Sequence, residues 1–322
     1  MPDKKILRGI KPFNKFFFRS CYYHQLISAY ARYGTDERLI LMNYFPLYDK
    51  ENWQVYNGLS IFTDKELEEL SGIRLIKKKD VADIVKELIA SIDCGAPVIL
   101  SVDCYYLPYR DDMYKKRHTA HFLLVYGYDK ARKKFIVNEH NFVNSILYKE
   151  REVDFGVVKT AFANYTKRLD KGQGMGFIKI KKVAGKKYEF SPEYYLSAYI
   201  KNKAAIRENL NNLISYCDEV VALLLNQDEL LGAIEKTYID FAFILHKKRM
   251  QWDQFSAIFN DDEIDELNSR CVESLLFIYS ILAKIKFANF YNSKSIEKIA
   301  ARLKEVKTIE QKIYEILDGK TA

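Results

Sequence analysis

The chain of 322 residues predicts an α+β fold followed by an α-helical bundle. Two observations divide the chain near residue 190: the positions of glycine and proline, and a change in net charge. All six prolines and 11 of the 13 glycines lie at or before Pro192. Because these residues interrupt helices most strongly, we expect one domain over residues 1–188 and a helical domain over residues 189–322.

Net charge changes at nearly the same position. Residues 1–190 contain 34 Lys and Arg against 23 Asp and Glu, a net charge of +11, whereas residues 191–322 have a net charge of −3. A basic domain is typical of a protein with an anionic partner. The alternative is that the lysines keep a tyrosine-rich surface soluble. The basic residues are dispersed and match no nucleic-acid-binding motif, so we expect no nucleic-acid partner.

The N-terminal part begins with helices and continues with strands. Three helices are predicted from apolar spacing and capping residues, over residues 20–33, 63–70 and 80–92. Five strands are predicted from short apolar runs and turns, over residues 98–102, 121–129, 135–137, 157–161 and 176–181. Helices followed by strands are typical of an α+β domain.

The C-terminal part has the spacing of amphipathic helices. Apolar side chains repeat at intervals of three and four from Ile206 to Leu224, which places them on one face of a helix. The same pattern continues over residues 229–248, 262–289 and 295–317. Four or more long helices that each have one apolar face are predicted to pack as a bundle.

The cysteines indicate a reducing compartment and no metal centre. Five scattered cysteines form no CxxC pair and no zinc-type spacing with histidine. Residues 1–18 contain no apolar run long enough for a signal peptide or a membrane span. We therefore expect a cytoplasmic protein that binds no membrane and holds no metal.

Four residues have the order of a cysteine-dependent catalytic site. Cys21 begins the first predicted helix, His121 begins a strand, and Asn138 and Glu139 lie on the next strand. A helix N-terminus lowers the pKa of a thiol, and a thiolate works with a histidine that a third group orients. Each residue alone is more often a packing residue. Their joint order, which is that of papain-like sites, predicts catalysis.

Three segments carry a more specific resemblance. The stretches APVILSVDCYYLPYR (96–110), HTAHFLLVYGYD (118–129) and FIVNEH (135–140) resemble the N-terminal domain of the butirosin biosynthesis protein H family, over roughly residues 10–160. That family is similar to papain-like and C39-like cysteine peptidases. The resemblance implies a papain-like fold for residues 1–188. It also implies an acyltransferase that takes an acyl group from the phosphopantetheine thioester of a carrier protein and forms an amide, with no other cofactor.

The resemblance also implies roles for the candidate residues. Cys21 becomes the nucleophile and His121 the base. C39-like relatives have an acid where Glu139 lies, whereas papain uses asparagine, which would favour Asn138. Because successive strand residues point to opposite faces, only one of the two reaches His121. We prefer Glu139 and keep Asn138 as the alternative.

Five further residues are candidates for substrate contact. Asn14 lies upstream of Cys21, where the wider superfamily has an oxyanion donor beside the backbone N–H of the cysteine. Asp103, Tyr105, Tyr106 and Tyr109 follow a predicted strand, and loops at strand ends often carry function. The alternative for the tyrosines is that they pack the strand edge.

The leading hypothesis is an amide-forming acyltransferase of nonribosomal peptide-like antibiotic biosynthesis. Its expected partners are an acidic acyl or peptidyl carrier protein and a small-molecule amine. The alternatives are a cysteine peptidase or amidase of the same fold and a non-catalytic carrier-binding module. The acyl donor, the amine, the role of the helical domain and the oligomeric state stay open at this level.

Overall fold

The structure, a computed structural model, describes residues 2–15, 20–48, 58–140, 147–170, 174–288 and 291–321. It divides into two compact units, Met1–Ile40 with Phe62–Phe190, and Leu41–Ile61 with Ser191–Ala322. The first unit mixes helices with an antiparallel sheet, so the α+β class is confirmed. The papain-like architecture and the two independent domains divided at residue 188 stay predictions.

Short helices are interspersed with strands in the chain up to Lys182. In chain order they are β1 (Lys4–Ile6), α1 (Cys21–Ala31), α2 (Arg38–Leu41), β2 (Phe45–Pro46), β3 (Gly58–Leu59), α3 (Asp64–Ser71), β4 (Ile73–Lys78), α4 (Ile84–Asp93), β5 (Val98–Asp103), β6 (Ala120–Asp129), β7 (Lys134–His140), β8 (Tyr148–Asp154), α5 (Phe155–Arg168) and β9 (Phe177–Lys182). A 3-10 turn, Cys104–Tyr106, directly follows β5.

Seven strands form one sheet. Six of them have the order β4-β9-β5-β6-β7-β8, and the seventh, β1, pairs with the C-terminal end of β6. Every pairing is antiparallel. All six residues of β5 are buried, as expected for a strand in the middle of a sheet that is covered on both faces. The strands β2 and β3 pair with each other in a separate ribbon.

The first helix agrees closely with the prediction. Ser20 is its extended N-cap, and Gly34 adopts a φ of 71° in the turn that follows the helix. Glycine suits that left-handed conformation because it has no Cβ. Leu26, Ile27 and Tyr30 are buried, and α1 packs against β6. This packing sets where the N-terminus of α1, and therefore Cys21, lies relative to the sheet.

The strand predicted over residues 157–161 is wrong, because this segment belongs to α5. Val158, Ala161, Phe162 and Tyr165 are buried, and their spacing of three, one and three residues is that of a helix face. The strand β8 was not predicted. It is charged at most positions and pairs with β7 at the edge of the sheet, so it lacks the apolar run that identifies a buried strand.

Four long helices make up most of the second unit. They are α6 (Pro192–Leu224), α7 (Gln227–Phe259), α8 (Asp262–Ala288) and α9 (Ser293–Lys320). The predicted helical character is therefore confirmed, although Asn289, the predicted end of the third helix, lies outside the described residues. Throughout the described residues, none of the helices has both the length and the apolar content to cross a membrane.

The described residues of the segment that includes β2 pack with these helices, which the sequence did not predict. Gln254 donates from Nε2 to the carbonyl oxygen of Leu41 at 2.7 Å, and Lys247 donates from Nζ to that of Leu47 at 3.0 Å. Asn212 donates from Nδ2 to the carbonyl oxygen of Tyr48 at 2.9 Å. These side chains satisfy backbone groups of a buried, largely irregular segment, which otherwise would cost stability.

A buried ion pair, together with a thiol that contacts it, connects three helices of the second unit. Lys248 of α7 and Glu310 of α9 approach to 2.8 Å, and both side chains are essentially inaccessible to solvent. Lys248 also donates to Gln251 Oε1 at 3.0 Å, and the Cys271 thiol of α8 donates to Glu310 at 3.4 Å. Removing one charge would leave the other uncompensated in a medium that solvates it poorly.

We predict that Lys248→Met lowers the free energy of unfolding by about 3 kcal/mol or more, because it leaves the Glu310 carboxylate buried without its cation. Urea unfolding followed by circular dichroism measures this loss. Lys307→Met is the matched control, since Lys307 pairs with the exposed carboxylate of Asp218 and should cost less than about 1 kcal/mol. Equal losses in the two variants would contradict the importance of the buried pair.

Candidate active site

Cys21 is placed by a polar clamp between α1 and the sheet. One turn further along α1, Gln25 donates from Nε2 to the carbonyl oxygens of Phe122 on β6 and Asn138 on β7, at 3.2 and 3.1 Å. The backbone N–H groups of a helix start have no acceptor within the helix. Cys21, which is half-buried, therefore lies where those groups and the helix dipole favour a negatively charged sulfur.

Sheet register decides which residue of β7 reaches His121. Asn138 pairs with Leu124 of β6, and successive residues of a strand point to opposite faces. Glu139 therefore shares a face with the odd-numbered residues at the start of β6, which include His121. The contact follows this geometry: His121 Nε2 and Glu139 Oε1 are 2.7 Å apart, and Glu139 is completely buried.

Asn138 points elsewhere. Its Nδ2 donates to Gln25 Oε1 at 2.9 Å, within the clamp that holds α1 on the sheet, and the side chain is buried. The structure thus brings Cys21, His121 and Glu139 together and gives Asn138 a structural contact instead. This placement favours Glu139, the preferred alternative, as the third member of the site.

The environment of Cys21 favours the thiolate. Burial raises the pKa of this thiol, but the charge of His121, a hydrogen bond with its ring and a hydrogen bond with the Phe122 backbone lower it, and the result is a pKa below the ordinary value. Because Nε2 of His121 faces Glu139, Nδ1 is the ring nitrogen that remains for the sulfur. The directions of these shifts favour a thiolate–imidazolium pair between the cysteine and the histidine.

Glu139 favours the protonated form of His121. Burial alone lowers the pKa of His121, but the negative charges of Glu139 and Cys21 raise it well above its usual value. Burial raises the pKa of Glu139, but the charge of His121 and its hydrogen bond lower it below the ordinary value. In this arrangement each of the three groups favours the ionised form of its neighbour in the chain Cys21, His121, Glu139.

Glu139 has two more hydrogen-bond donors that the sequence did not predict. The backbone N–H of His140 donates to Oε1 at 2.6 Å, and the hydroxyl of Tyr109 donates to Oε2 at 3.0 Å. Tyr109 was predicted to contact substrate, and the structure directs its hydroxyl to the carboxylate instead. No sequence signal relates Tyr109 to Glu139, since the two lie thirty residues apart on different elements.

The other predicted binding residues separate into two groups. Tyr105 and Tyr106 line a cavity of about 320 Å³ together with Tyr114 and the start of α5, which is compatible with a binding role. Asp103 is completely buried. Its carboxylate contacts His118 Nδ1 at 2.6 Å and accepts from the Tyr105 backbone N–H at 3.1 Å. Asp103 therefore stabilises the 3-10 turn that follows β5.

Asn14 does not point its amide at the sulfur. Its Nδ2 donates to the carbonyl oxygen of Tyr148, and its Oδ1 accepts from the Tyr148 N–H, at 3.1 and 2.7 Å. The side chain therefore pairs with β8 as another strand would. The predicted role of Asn14 as an oxyanion donor gains no support from this placement, whereas the N–H of Cys21 lies at the helix start as expected.

Three side chains of the site also have the chemistry of metal ligands. Among the described residues, ligand atoms of His121, Glu139 and His140 lie within 4.8 Å of one another. The 2.7 Å separation of His121 and Glu139 is that of a charge-assisted hydrogen bond, too short for an ion between the two atoms. The geometry is that of an ion pair, and the absence of a metal stays a prediction.

Comparison with known families supports the resemblance seen in the sequence. Residues 39–140 match the family model for Butirosin biosynthesis protein H, N-terminal, so the resemblance is confirmed over this segment. The match includes Tyr109, His121 and Glu139 but begins after Cys21. No curated protein matches the chain.

We predict that Glu139→Gln slows alkylation of Cys21 by iodoacetamide at least tenfold at about pH 6, because one unit of pKa changes the thiolate fraction tenfold on its acidic side. Loss of the carboxylate charge lowers the pKa of His121, and Cys21 then loses the cation that lowers its own pKa. The direct repulsion between Glu139 and Cys21 acts in the opposite direction, but it is weaker than the influence of the His121 charge on this thiol.

The matched control is Glu152→Gln, which removes an exposed carboxylate from the neighbouring strand β8. Alkylation is followed by mass spectrometry of the peptide that contains Cys21. Unchanged alkylation of the Glu139→Gln protein across the acidic range would mean that Glu139 doesn't control the ionisation of the site.

Proposed function

Since residues 39–140 are of the butirosin biosynthesis protein H N-terminal type, we propose that the chain is an amide-forming acyltransferase of antibiotic biosynthesis, built on a papain-like domain. The observation that carries this proposal is the ordered contact of Cys21, His121 and Glu139. The proposed nucleophile is half-buried, whereas the two supporting groups are buried. Such a site is suited to covalent catalysis on a carbonyl group.

The proposed first step moves an acyl group onto Cys21. The thiolate attacks the carbonyl carbon of a carrier-bound thioester, and the backbone N–H of Cys21 stabilises the oxyanion that forms. The bond between that carbon and the phosphopantetheine sulfur then breaks. The departing sulfur takes the proton from the imidazolium of His121, which leaves an acyl-enzyme and a neutral histidine. One thioester replaces another, so this step needs little driving force.

The proposed second step forms the amide. The nitrogen of an amine attacks the carbonyl carbon of the acyl-enzyme while His121 takes one proton from that nitrogen. The carbon–sulfur bond breaks, and Cys21 returns to the thiolate beside an imidazolium. Glu139 stays ionised in both steps and stabilises the imidazolium at the start and the end of the cycle.

The charge distribution supports an acidic carrier protein as the donor. Residues 1–190 carry a net charge of +11, and a positive domain attracts an anionic partner over distances longer than a hydrogen bond. Lys79, Lys159 and Lys167 line a cavity of about 460 Å³ beside α4 and α5. The cavity of Tyr105 and Tyr106 is the proposed place for the acyl chain or the amine, at the end of the strand that neighbours His121.

We predict that wild-type protein gains the mass of one acyl group when it is incubated with acyl thioesters of a carrier protein or of N-acetylcysteamine. Cys21→Ala should form no amide and carry no acyl group at the site, because the proposed thioester intermediate forms on Cys21. Intact-protein mass spectrometry measures the adduct, and chromatography measures the amide. Cys94→Ala, which removes an exposed cysteine, is the matched control and should retain both.

The molecule that accepts the acyl group, an amine or water, distinguishes this proposal from a peptidase or amidase. Added amine should discharge the acyl-enzyme to amide faster than water discharges it to free acid. Hydrolysis that added amine does not divert would favour the peptidase or amidase. Amide formation that survives in Cys21→Ala would exclude the proposed nucleophile.

A further inference from the structure

We propose that Tyr109 is a positioning residue of the triad, whose hydroxyl holds the Glu139 carboxylate with Oε1 directed at His121. Glu139 lies at the end of β7, and Tyr109 comes from the loop after β5. The contact therefore connects the acid to a second, independent part of the unit. This inference rests on the proposed role of the triad but not on any particular substrate.

The two oxygens of Glu139 have different partners. Oε1 accepts from the backbone N–H of His140 and from His121, and Oε2 accepts from Tyr109. The final torsion of a glutamate side chain has a broad minimum, so donors on one oxygen alone fix the carboxylate plane weakly. A donor on the second oxygen removes that freedom, which is the common way in which a protein orients a group behind its reacting residues.

Tyr109 is itself held in place. The guanidinium of Arg151 on β8 lies 4.7 Å from the centre of the Tyr109 ring, a distance typical of a cation–π contact. The next residue, Arg110, forms two hydrogen bonds with the carboxylate of Asp112, at 3.0 and 2.9 Å. The ring and the loop that carries it are thus ordered before any substrate arrives.

The contact explains why Tyr109 differs from the neighbouring tyrosines. A phenol has one proton to donate, and that of Tyr109 already points to Glu139. Burial and the charge of Glu139 raise the pKa of Tyr109 well above its usual value, so the hydroxyl remains a donor. Tyr106 lies on the same loop but lines the cavity. Tyr126 of β6 donates its hydroxyl to Glu150 at 2.7 Å outside the site, which makes it the matched comparison for the loss of one hydrogen bond between a tyrosine and a glutamate.

The pH dependence of Cys21 alkylation reports how the Glu139 carboxylate is positioned. Without the Tyr109 hydroxyl the carboxylate turns more freely and contacts His121 for less of the time, so the pKa of His121 falls. Cys21 then has less positive charge beside it, and its own pKa rises. The acidic limb of thiolate reactivity therefore moves to higher pH. A purely structural or substrate-binding role for Tyr109 would not move that limb.

The test compares Tyr109→Phe with Tyr126→Phe, both in a Cys94→Ala background that removes an exposed cysteine. Iodoacetamide is the probe, and the rate of Cys21 alkylation is measured by mass spectrometry across pH. We expect the acidic limb of Tyr109→Phe to move up by roughly half to one pH unit, a threefold to tenfold slower rate at low pH. Tyr126→Phe should follow the parent protein.

A profile of Tyr109→Phe that coincides with the parent, or one that moves to lower pH, would overturn the proposal. If Tyr109→Phe doesn't fold, Arg151→Met provides the same test, because it removes the cation that lies over the ring, and a smaller shift in the same direction is expected. Alkylation needs no acyl donor, so a failure of acyl transfer leaves this result interpretable, and a failure here leaves the acyl-enzyme experiment unaffected.

Discussion

The hydrogen bond between His121 and Glu139 is the interaction on which the candidate site depends. It joins two buried groups that would each lose their charge if they were alone, since burial opposes the ionised form of both. Together each favours the charged form of the other, and the positive charge of His121 lowers the pKa of Cys21. The ionisation of a half-buried cysteine therefore depends on a carboxylate that no solvent reaches.

The fold supplies the two constraints that this interaction needs. The antiparallel register of β6 and β7 places Glu139 on the face of His121 and turns Asn138 away from it. The Gln25 clamp fixes α1 against the same two strands, which sets the position of Cys21. Backbone geometry brings the three residues together, and the hydrogen bonds of Glu139 then orient the carboxylate.

The sequence alone predicted the parts of the site that depend on local sequence patterns. Cys21 at a helix start and His121 at a strand start both follow from apolar periodicity and capping, and strand alternation showed that only one of Asn138 and Glu139 reaches His121. The contact of Tyr109 with Glu139 could not be predicted, because it depends on how a loop folds back over the sheet. The helix at Phe155–Arg168 was missed because its β-branched start resembles a strand.

A nitrogen NMR titration of histidine-labelled protein tests the central claim most directly, since the chain has only five histidines and a His121 variant assigns the signal. The account predicts that the His121 ring carries two protons at neutral pH, and that Cys21→Ala lowers its pKa because the thiolate charge is lost. A His121 ring that is neutral at pH values near 7, with a pKa unaffected by Cys21→Ala, would contradict the thiolate–imidazolium pair and with it the role of Glu139.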